Sequence, residues 1–265
     1  MLRIYFLQQW LGLADEALED ALYDSQTLRG FARIDLSTYD VPDATTLPKF
    51  RRLLETHDLC KGRFTAINTD LTARGLLLRS GTLVDATLIA APSSTKNQKK
   101  EREPQKHQTK MGNQWYFGMK AHIGADRDSK LVHTVVTTAA NVADITQTAE
   151  LLHGEENRVH GDAGYTGVEK RAEIVALARP IDWQIAGKRG VLKALAEGAE
   201  KEALKAVEQA KASVRAFVGH PFHIVKNLFG HRKVRYRGLA KNGHQLYTLF
   251  GLTNVEICAR TRAAA

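Results

Sequence analysis

Apolar positions in the first sixty residues recur at helical spacing. Leu2, Phe6, Leu7, Trp10 and Leu11 mark one amphipathic helix, and Ala17, Leu18, Ala21 and Leu22 mark a second, shorter one. After VPDATTLP, the run KFRRLLETHDL predicts a third helix. Thr45 or Thr46 would be its N-cap, with Pro48 in the first turn, where an N–H is not needed. Phe50, Leu53 and Leu54 are expected to face inward, leaving Lys49, Arg51 and Arg52 outside.

Near residue 80 the pattern changes to strands. GTLVDATLIAA is an apolar, β-branched strand interrupted by one carboxylate, Asp85, and WYFGMKAHIGAD and KLVHTVVTTAA read as two strands flanking the turn ADRDSK. VADITQTAELLHG predicts a helix that begins at an Asn141/Asp144 cap region. A short strand in NRVHGDAGYTG closes on Asp162, VEKRAEIVALARP reads as a helix stopped by Pro180, and IDWQIAG reads as a further strand. A long helical stretch from about 192 to 228 follows, with a break at Pro221. The basic segment HRKVRYRGLAKNG and the apolar helix HQLYTLFGLTNVEICAR finish the chain. Between the first strand and the strand pair lies SSTKNQKKEREPQKHQTKMGN, too charged for a core and expected to be an exposed loop. This order predicts an α/β fold with a mixed central sheet, preceded by a small all-helical region. Several folds share it, so it does not fix a function.

Charge narrows the class. Lys and Arg number 38 against 29 Asp and Glu among 265 residues, a net charge of +9. The excess sits in two blocks, Lys96 to Lys110 and Lys226 to Lys241, whereas Asp15, Glu16, Glu19, Asp20 and Asp24 make the N-terminal stretch acidic. A sided basic surface favours polyanion partners, because each neutralised phosphate releases condensed counterions. Cys60 and Cys258 are far apart and lack zinc-ligand spacing. No apolar run is long enough for a bilayer, and the N-terminus lacks a signal-peptide cleavage site, so a cytoplasmic, non-membrane location is the expectation.

Two carboxylates carry candidate chemistry. A charge in the middle of an apolar strand costs several kcal/mol unless it is paired, exposed at an edge or bound to metal, which singles out Asp85. Asp162 stands where a second strand ends. Converging carboxylates of this kind hold Mg²⁺ for phosphodiester cleavage. The plainer alternative has Asp85 paired with an Arg and Asp162 capping its own turn. His122, His133 and His160 lie on or beside strands and read as core or edge histidines rather than Mg²⁺ ligands.

VDATLIAAPSSTKN, GNQWYFGMKAHIGAD, VHTVVTTAANVAD, GDAGYTG and HPFHIVKNLFGHRKVRYRGLAKN, with MLRIYFLQQW and LPKFRRLLE, resemble in order the transposases of the insertion sequence five family. The resemblance implies an RNase H-like sheet flanked by helices and a DDE triad that cuts the element's ends and joins them to target DNA. It makes Asp85 and Asp162 catalytic metal ligands in a two-metal Mg²⁺ (or Mn²⁺) site. The implied partners are terminal inverted repeats and target DNA, bound by a homo-oligomer. The implied division is 1–75, a helical N-terminal region that relatives extend upstream and that is expected to be truncated here, and 76–265, a catalytic domain with a basic loop at 93–112.

The third acid of the family's C-terminal signature is where this sequence departs. Arg215 and Lys226 occupy the flanking positions, but Gly219 stands where the resemblance implies Glu. At about 100° per residue, positions 215, 219 and 226 share one face of a helix, with Val214, Val218 and Val225 turned to the core. Glu208, eleven residues earlier, would lie about 16 Å away along that helix, and Glu200 and Glu202 farther still. The expected consequence is a transposase with impaired cleavage. The alternative is a non-enzymatic DNA-binding remnant that inhibits active copies. A host RNase H-like nuclease fits the YRGLAKN segment poorly. Candidate DNA contacts are Lys96, Lys99, Lys100, Lys120, Tyr165, Arg215, His220, Lys226, Arg232, Lys233, Arg235 and Arg237. Tyr165 is the leading DNA-contacting aromatic; Trp115 and Tyr116 read either as core or as stacking residues, and His223 is a further candidate DNA contact.

Overall fold

The computed structural model describes residues 1–264 apart from 97, 99, 188, 189 and 191–197. The chain opens with helices α1 (Leu2–Leu11), α2 (Asp15–Asp24), α3 (Gln26–Ala32), α4 (Thr46–Thr56) and α5 (Leu59–Ala73). The strands follow: β1 (Thr82–Ala90), β2 (His107–Met111), β3 (Gln114–Asp126), β4 (Val132–Ala139), β5 (Arg158–Gly161) and β6 (Asp182–Ile185). β3 lies between β4 and β1, antiparallel to both, and β5 and then β6 extend the other edge of β1 in parallel. This path, β4-β3-β1-β5-β6, is that of an RNase H-like sheet. The short β2 pairs with the start of β3.

Alternation along β1 assigns its two faces. Leu83 and Ile89 join Met119, Ala121 and Ile123 of β3 in the main core, covered by α5, by Phe222, Val225 and Phe229, and by the C-terminal helix. That helix is α10 (Leu239–Ala264) once the short turns are counted, and it packs on β4 and α5. Val84 faces the opposite way, into a smaller cluster with Leu151, Val159 and Tyr165. A buried amide fixes the first arrangement. Asn254 of α10 accepts the Val132 N–H at 2.8 Å and donates to the Val132 carbonyl at 2.7 Å and to Asn68 of α5 at 2.8 Å.

The N-terminal helices form as the periodicity predicts, but two of them turn differently. Leu18 and Leu22 of α2 are fully buried as expected. In α1 the buried side chains include Gln8 and Gln9, while Leu11 is 47% exposed. The glutamines are satisfied by long-range partners, Asp15 for Gln8 and Gln245 of α10 for Gln9. In α4 Leu54 is buried, but Leu53 is 49% exposed and Arg51 turns inward. Arg51 forms a bidentate pair with Asp15 (2.6 and 2.7 Å) and lies over the Tyr236 ring. Thr45 is the N-cap residue without a capping bond; Asp43 accepts the Thr46 N–H instead.

Other elements depart from the sequence pattern. Helices α3 and α5 and strand β2 were not evident in it, and β2 falls inside the segment expected to be loop. The helix expected before Pro180 is reduced to a 3₁₀ turn, Val168–Lys170, and a single helical turn, α7 (Ala172–Val175). The helix expected after VAD is a 3₁₀ turn, Asp144–Gln147, joined to one turn of α6 (Thr148–Leu151). The long C-terminal stretch is described from 198 onward and changes helix type repeatedly. It runs from α8 (Ala199–Arg215) through a 3₁₀ turn (Ala216–Val218) and α9 (Gly219–His223) to a π turn (Ile224–Leu228).

Candidate active site

Asp85 sits at the middle of β1 and shares the face of Leu83 and Ile89, so its carboxylate leaves the sheet at the margin of the main core. Its Oδ1 accepts the Ala86 N–H at 2.8 Å. Among the described residues no cation lies within ion-pair distance of it. Burial, joined by the charges of Asp162 and Asp144, pushes its pKa up to about 6, despite the Ala86 hydrogen bond and the opposing charge of Arg215. The expected Arg pairing is therefore an electrostatic influence from Arg215 and not a contact.

Asp162 follows β5 directly. β5 runs parallel to β1 with Thr82 opposite Val159, so three residues further on the same register brings Asp162 level with Asp85. Adjacent strands lie about 4.8 Å apart, and the charge of Asp162 bears on Asp85, so the two carboxylates are neighbours across the interior pair β1 and β5. Asp162 also caps its own turn, its Oδ1 accepting the Gly164 N–H at 2.8 Å. A Cβ at position 164 would stand 2.8 Å from that oxygen, so a larger residue there would push the carboxylate aside. Capping uses one oxygen and does not exclude a second role for the carboxylate.

The C-terminal helical run is brought to the same place by Val218, buried in the main core, and by packing of the 216–218 turn on β1. Val214, Val218 and Val225 face the core as the sequence suggested. Arg215 lies close enough for its charge to act on Asp85. Gly219 is exposed in right-handed helical geometry (φ −64°, ψ −23°), and a Cβ there would meet nothing within 4 Å. The side chain absent at this position therefore has room. Because of the 3₁₀ and π turns, 100° per residue does not carry from Arg215 to Lys226. The charged neighbour of half-buried Lys226 is Arg232. Glu208 is engaged elsewhere, accepting the Gly187 N–H and pairing with Lys211 at 3.0 Å. It does not substitute at position 219.

Several proposed DNA contacts take other roles. Lys120 is largely buried, donating to Asp144 and to the Val142 carbonyl, both at 2.8 Å, so it is internal to the protein. Tyr165 is 0% exposed and packs with Val84 and Val159, which closes its ring to base stacking. Lys99 lies outside the described residues. Lys96, Lys100, Arg232, Lys233, Arg235 and Arg237 are exposed. His220 is half-buried beside Lys130 and Arg260, and His223 is exposed and hydrogen-bonded to Asn227. The segment from Arg232 to Val234 pairs with Ala90, and so the basic stretch borders the end of the strand that carries Asp85. Arg235 ties that stretch to the N-terminal helices through the carbonyls of Gly12 and Leu13. His122 and His160 are buried as expected, and His133 has its pKa lowered to about 3 by burial. Trp115 is 61% exposed.

The sequence reading gave Asp144 only a capping role. Its charge bears on Asp85, and the turn it opens packs against the turn that follows Asp162. A cap-like Asn–Asp pair after a strand gives no sign of that proximity. Among the described residues no three His, Cys, Asp or Glu side chains are grouped to hold a metal ion. Asp85 and Asp162 nevertheless have the right chemistry for Mg²⁺, a hard cation that takes oxygen ligands. Burial and the neighbouring carboxylates make the charged form of Asp85 costly, and a bound cation would offset that cost.

Among the described residues no helix is long and apolar enough to cross a membrane. No solved structure matches the chain. A family model described as Transposase DDE domain matches residues 77–255, and one described as Transposase domain (DUF772) matches residues 1–53. Members of the first family typically use a divalent metal. With more than half of its length under the first model, the chain belongs to the DDE transposases, the enzymes of DNA transposition.

Proposed function

We propose that this chain is an insertion-sequence transposase of the insertion sequence five type, whose metal-dependent strand cleavage and transfer is impaired because Gly219 stands at the third acidic position. What supports the reading is Asp85 on β1 and Asp162 at the end of the parallel β5, with the 216–218 turn packed on β1 and followed by an exposed, sterically open Gly219. A divalent ion bound there would supply activation of the attacking hydroxyl and charge stabilisation at the leaving oxygen. Asp85 and Asp162 would hold it. Arg215 would offset the charge of the scissile phosphate, and the exposed cations from Arg232 to Arg237 would grip the flanking backbone. The loss of one oxygen ligand leaves the ion less firmly placed, which lowers the rate and leaves DNA binding intact. Assembly as a homo-oligomer on paired element ends and target DNA belongs to the same reading.

The second reading, a DNA-binding remnant that does not cut, is favoured by the same glycine. The test is nicking of supercoiled plasmid by the chain in Mg²⁺ and Mn²⁺, with Asp85→Asn as control, beside DNA-binding affinity measured across a salt series. Slow nicking that Mn²⁺ enhances and Asp85→Asn abolishes supports the impaired enzyme. Salt-sensitive binding with no nicking in either metal supports the remnant. Nicking that survives Asp85→Asn contradicts both.

A further inference from the structure

Tyr165 carries a buried phenol at 0% exposure whose hydroxyl has no hydrogen-bond partner among the described residues. An unpaired buried hydroxyl is a cost that phenylalanine would avoid. It is not remote from the chemistry: Asp85, Asp144 and Asp162 all lie near enough for their charges to hold its proton in place. Tyr165 ends the 3₁₀ turn Ala163–Tyr165 that Asp162 caps, and the turn begun by Asp144 packs against it.

Asp144 is itself fixed from the sheet. Lys120 of β3 donates to its Oδ1 at 2.8 Å, and His122 Nδ1 stands 3.6 Å from the same oxygen. His122 is anchored in turn by Thr138 of β4 at 2.8 Å. The side chains of Lys120 and His122 rise from the face opposite Asp85, because their register partners on β1 are Leu88 and Ala86. A clamped carboxylate and an unpartnered buried hydroxyl thus lie beside the Asp85–Asp162 pair, at the middle of β1 and the end of β5.

We propose that Asp144, held by Lys120, is a positioning residue for the Asp85–Asp162 pair, acting with the Tyr165 hydroxyl to set how tightly the pair holds a divalent cation. The inference rests on the proposed metal-dependent reading of that pair. Outer groups that orient ligating carboxylates change metal affinity when removed, typically by about 10- to 100-fold. In a site short of one acid, the additional negative charge and a fixed ligand orientation weigh more.

The experiment is a calorimetric Mn²⁺ titration of the full chain and its variants, with thermal melting of each. Asp144→Asn is expected to weaken Mn²⁺ binding by about 10-fold or more. Asp144→Glu is expected to restore most of the affinity, and Asp85→Asn to abolish binding. Tyr165→Phe is expected to weaken binding while the melting temperature holds or rises, which a structural role would not produce. If Asp144→Asn binds Mn²⁺ like the original chain while Asp85→Asn does not, the positioning role is overturned and the active-site reading stands. If the original chain binds no Mn²⁺, or Asp85→Asn binds it equally well, the active-site reading fails and takes the inference with it. Should Asp144→Asn not fold, Tyr165→Phe decides: unchanged Mn²⁺ affinity overturns the proposal.

Discussion

Asp85 is a largely buried carboxylate that costs the fold stability at neutral pH. Its pKa is raised from 3.8 to about 6, chiefly by burial. The folded state therefore binds a proton more tightly than the unfolded chain, and this contribution is present below about pH 4 and lost as pH rises through about 6. Asp85→Asn should accordingly stabilise the protein by about 1–3 kcal/mol at pH 7. Urea unfolding at neutral and acidic pH checks this, since the gain should vanish below about pH 4. Divalent-metal binding should weaken over the same window as the carboxylate takes up its proton. Gly219 gives the complementary case: it has helical backbone angles and open space, so Gly219→Glu should add about 0.5–1 kcal/mol from helix propensity alone. Asp85 was legible in the sequence because a charge inside an apolar strand demands a reason. Tyr165 was not, because an aromatic three residues after an acid reads equally well as exposed or buried.

Among elements, the strands were legible because alternation has a short period and β1, β3 and β4 carry it over eight or more residues. The short elements were not. Residues 168–175 form a 3₁₀ turn and a single helical turn held by local hydrogen bonds, which periodicity over a longer window reads as one helix. A break was expected at Pro221, but its form was hidden: the run passes from a 3₁₀ turn through one α turn that contains Pro221 to a π turn, so helical spacing does not carry from Arg215 to Lys226. In α4 the periodicity placed Arg51 outside, but a bidentate partner on α2 and the Tyr236 ring outweigh the cost of turning it inward. Arg51→Ala should cost about 2–4 kcal/mol, since it leaves Asp15 partly buried without its cation. The loss should appear in thermal melting and in faster proteolysis of the first sixty residues, with Asp85 chemistry little changed.

For the whole molecule, the net charge of +9 is borne partly by a stretch that runs along the end of β1 and reaches the N-terminal helices through Arg235. The N-terminal helices in turn join the main core through Phe6 and Trp10, so the two parts share a single packed body. Composition announced a polyanion partner, and the fold adds where the cations lie relative to Asp85. Replacing Arg232, Lys233 or Arg237 by Gln should each weaken DNA binding similarly for unrelated sequences. Each should also lower the slope of log affinity against log salt by about 1, as read by fluorescence anisotropy. If Asp85 and Asp162 form a carboxylate pair lacking only its third acid, plasmid nicking in Mg²⁺ should reveal it through Gly219→Glu. This variant is expected to cut far faster than the original chain, and adding Asp85→Asn or Asp162→Asn to abolish the gain. Equal rates for Gly219→Glu and the original chain, with both proteins folded and bound to DNA, would contradict it.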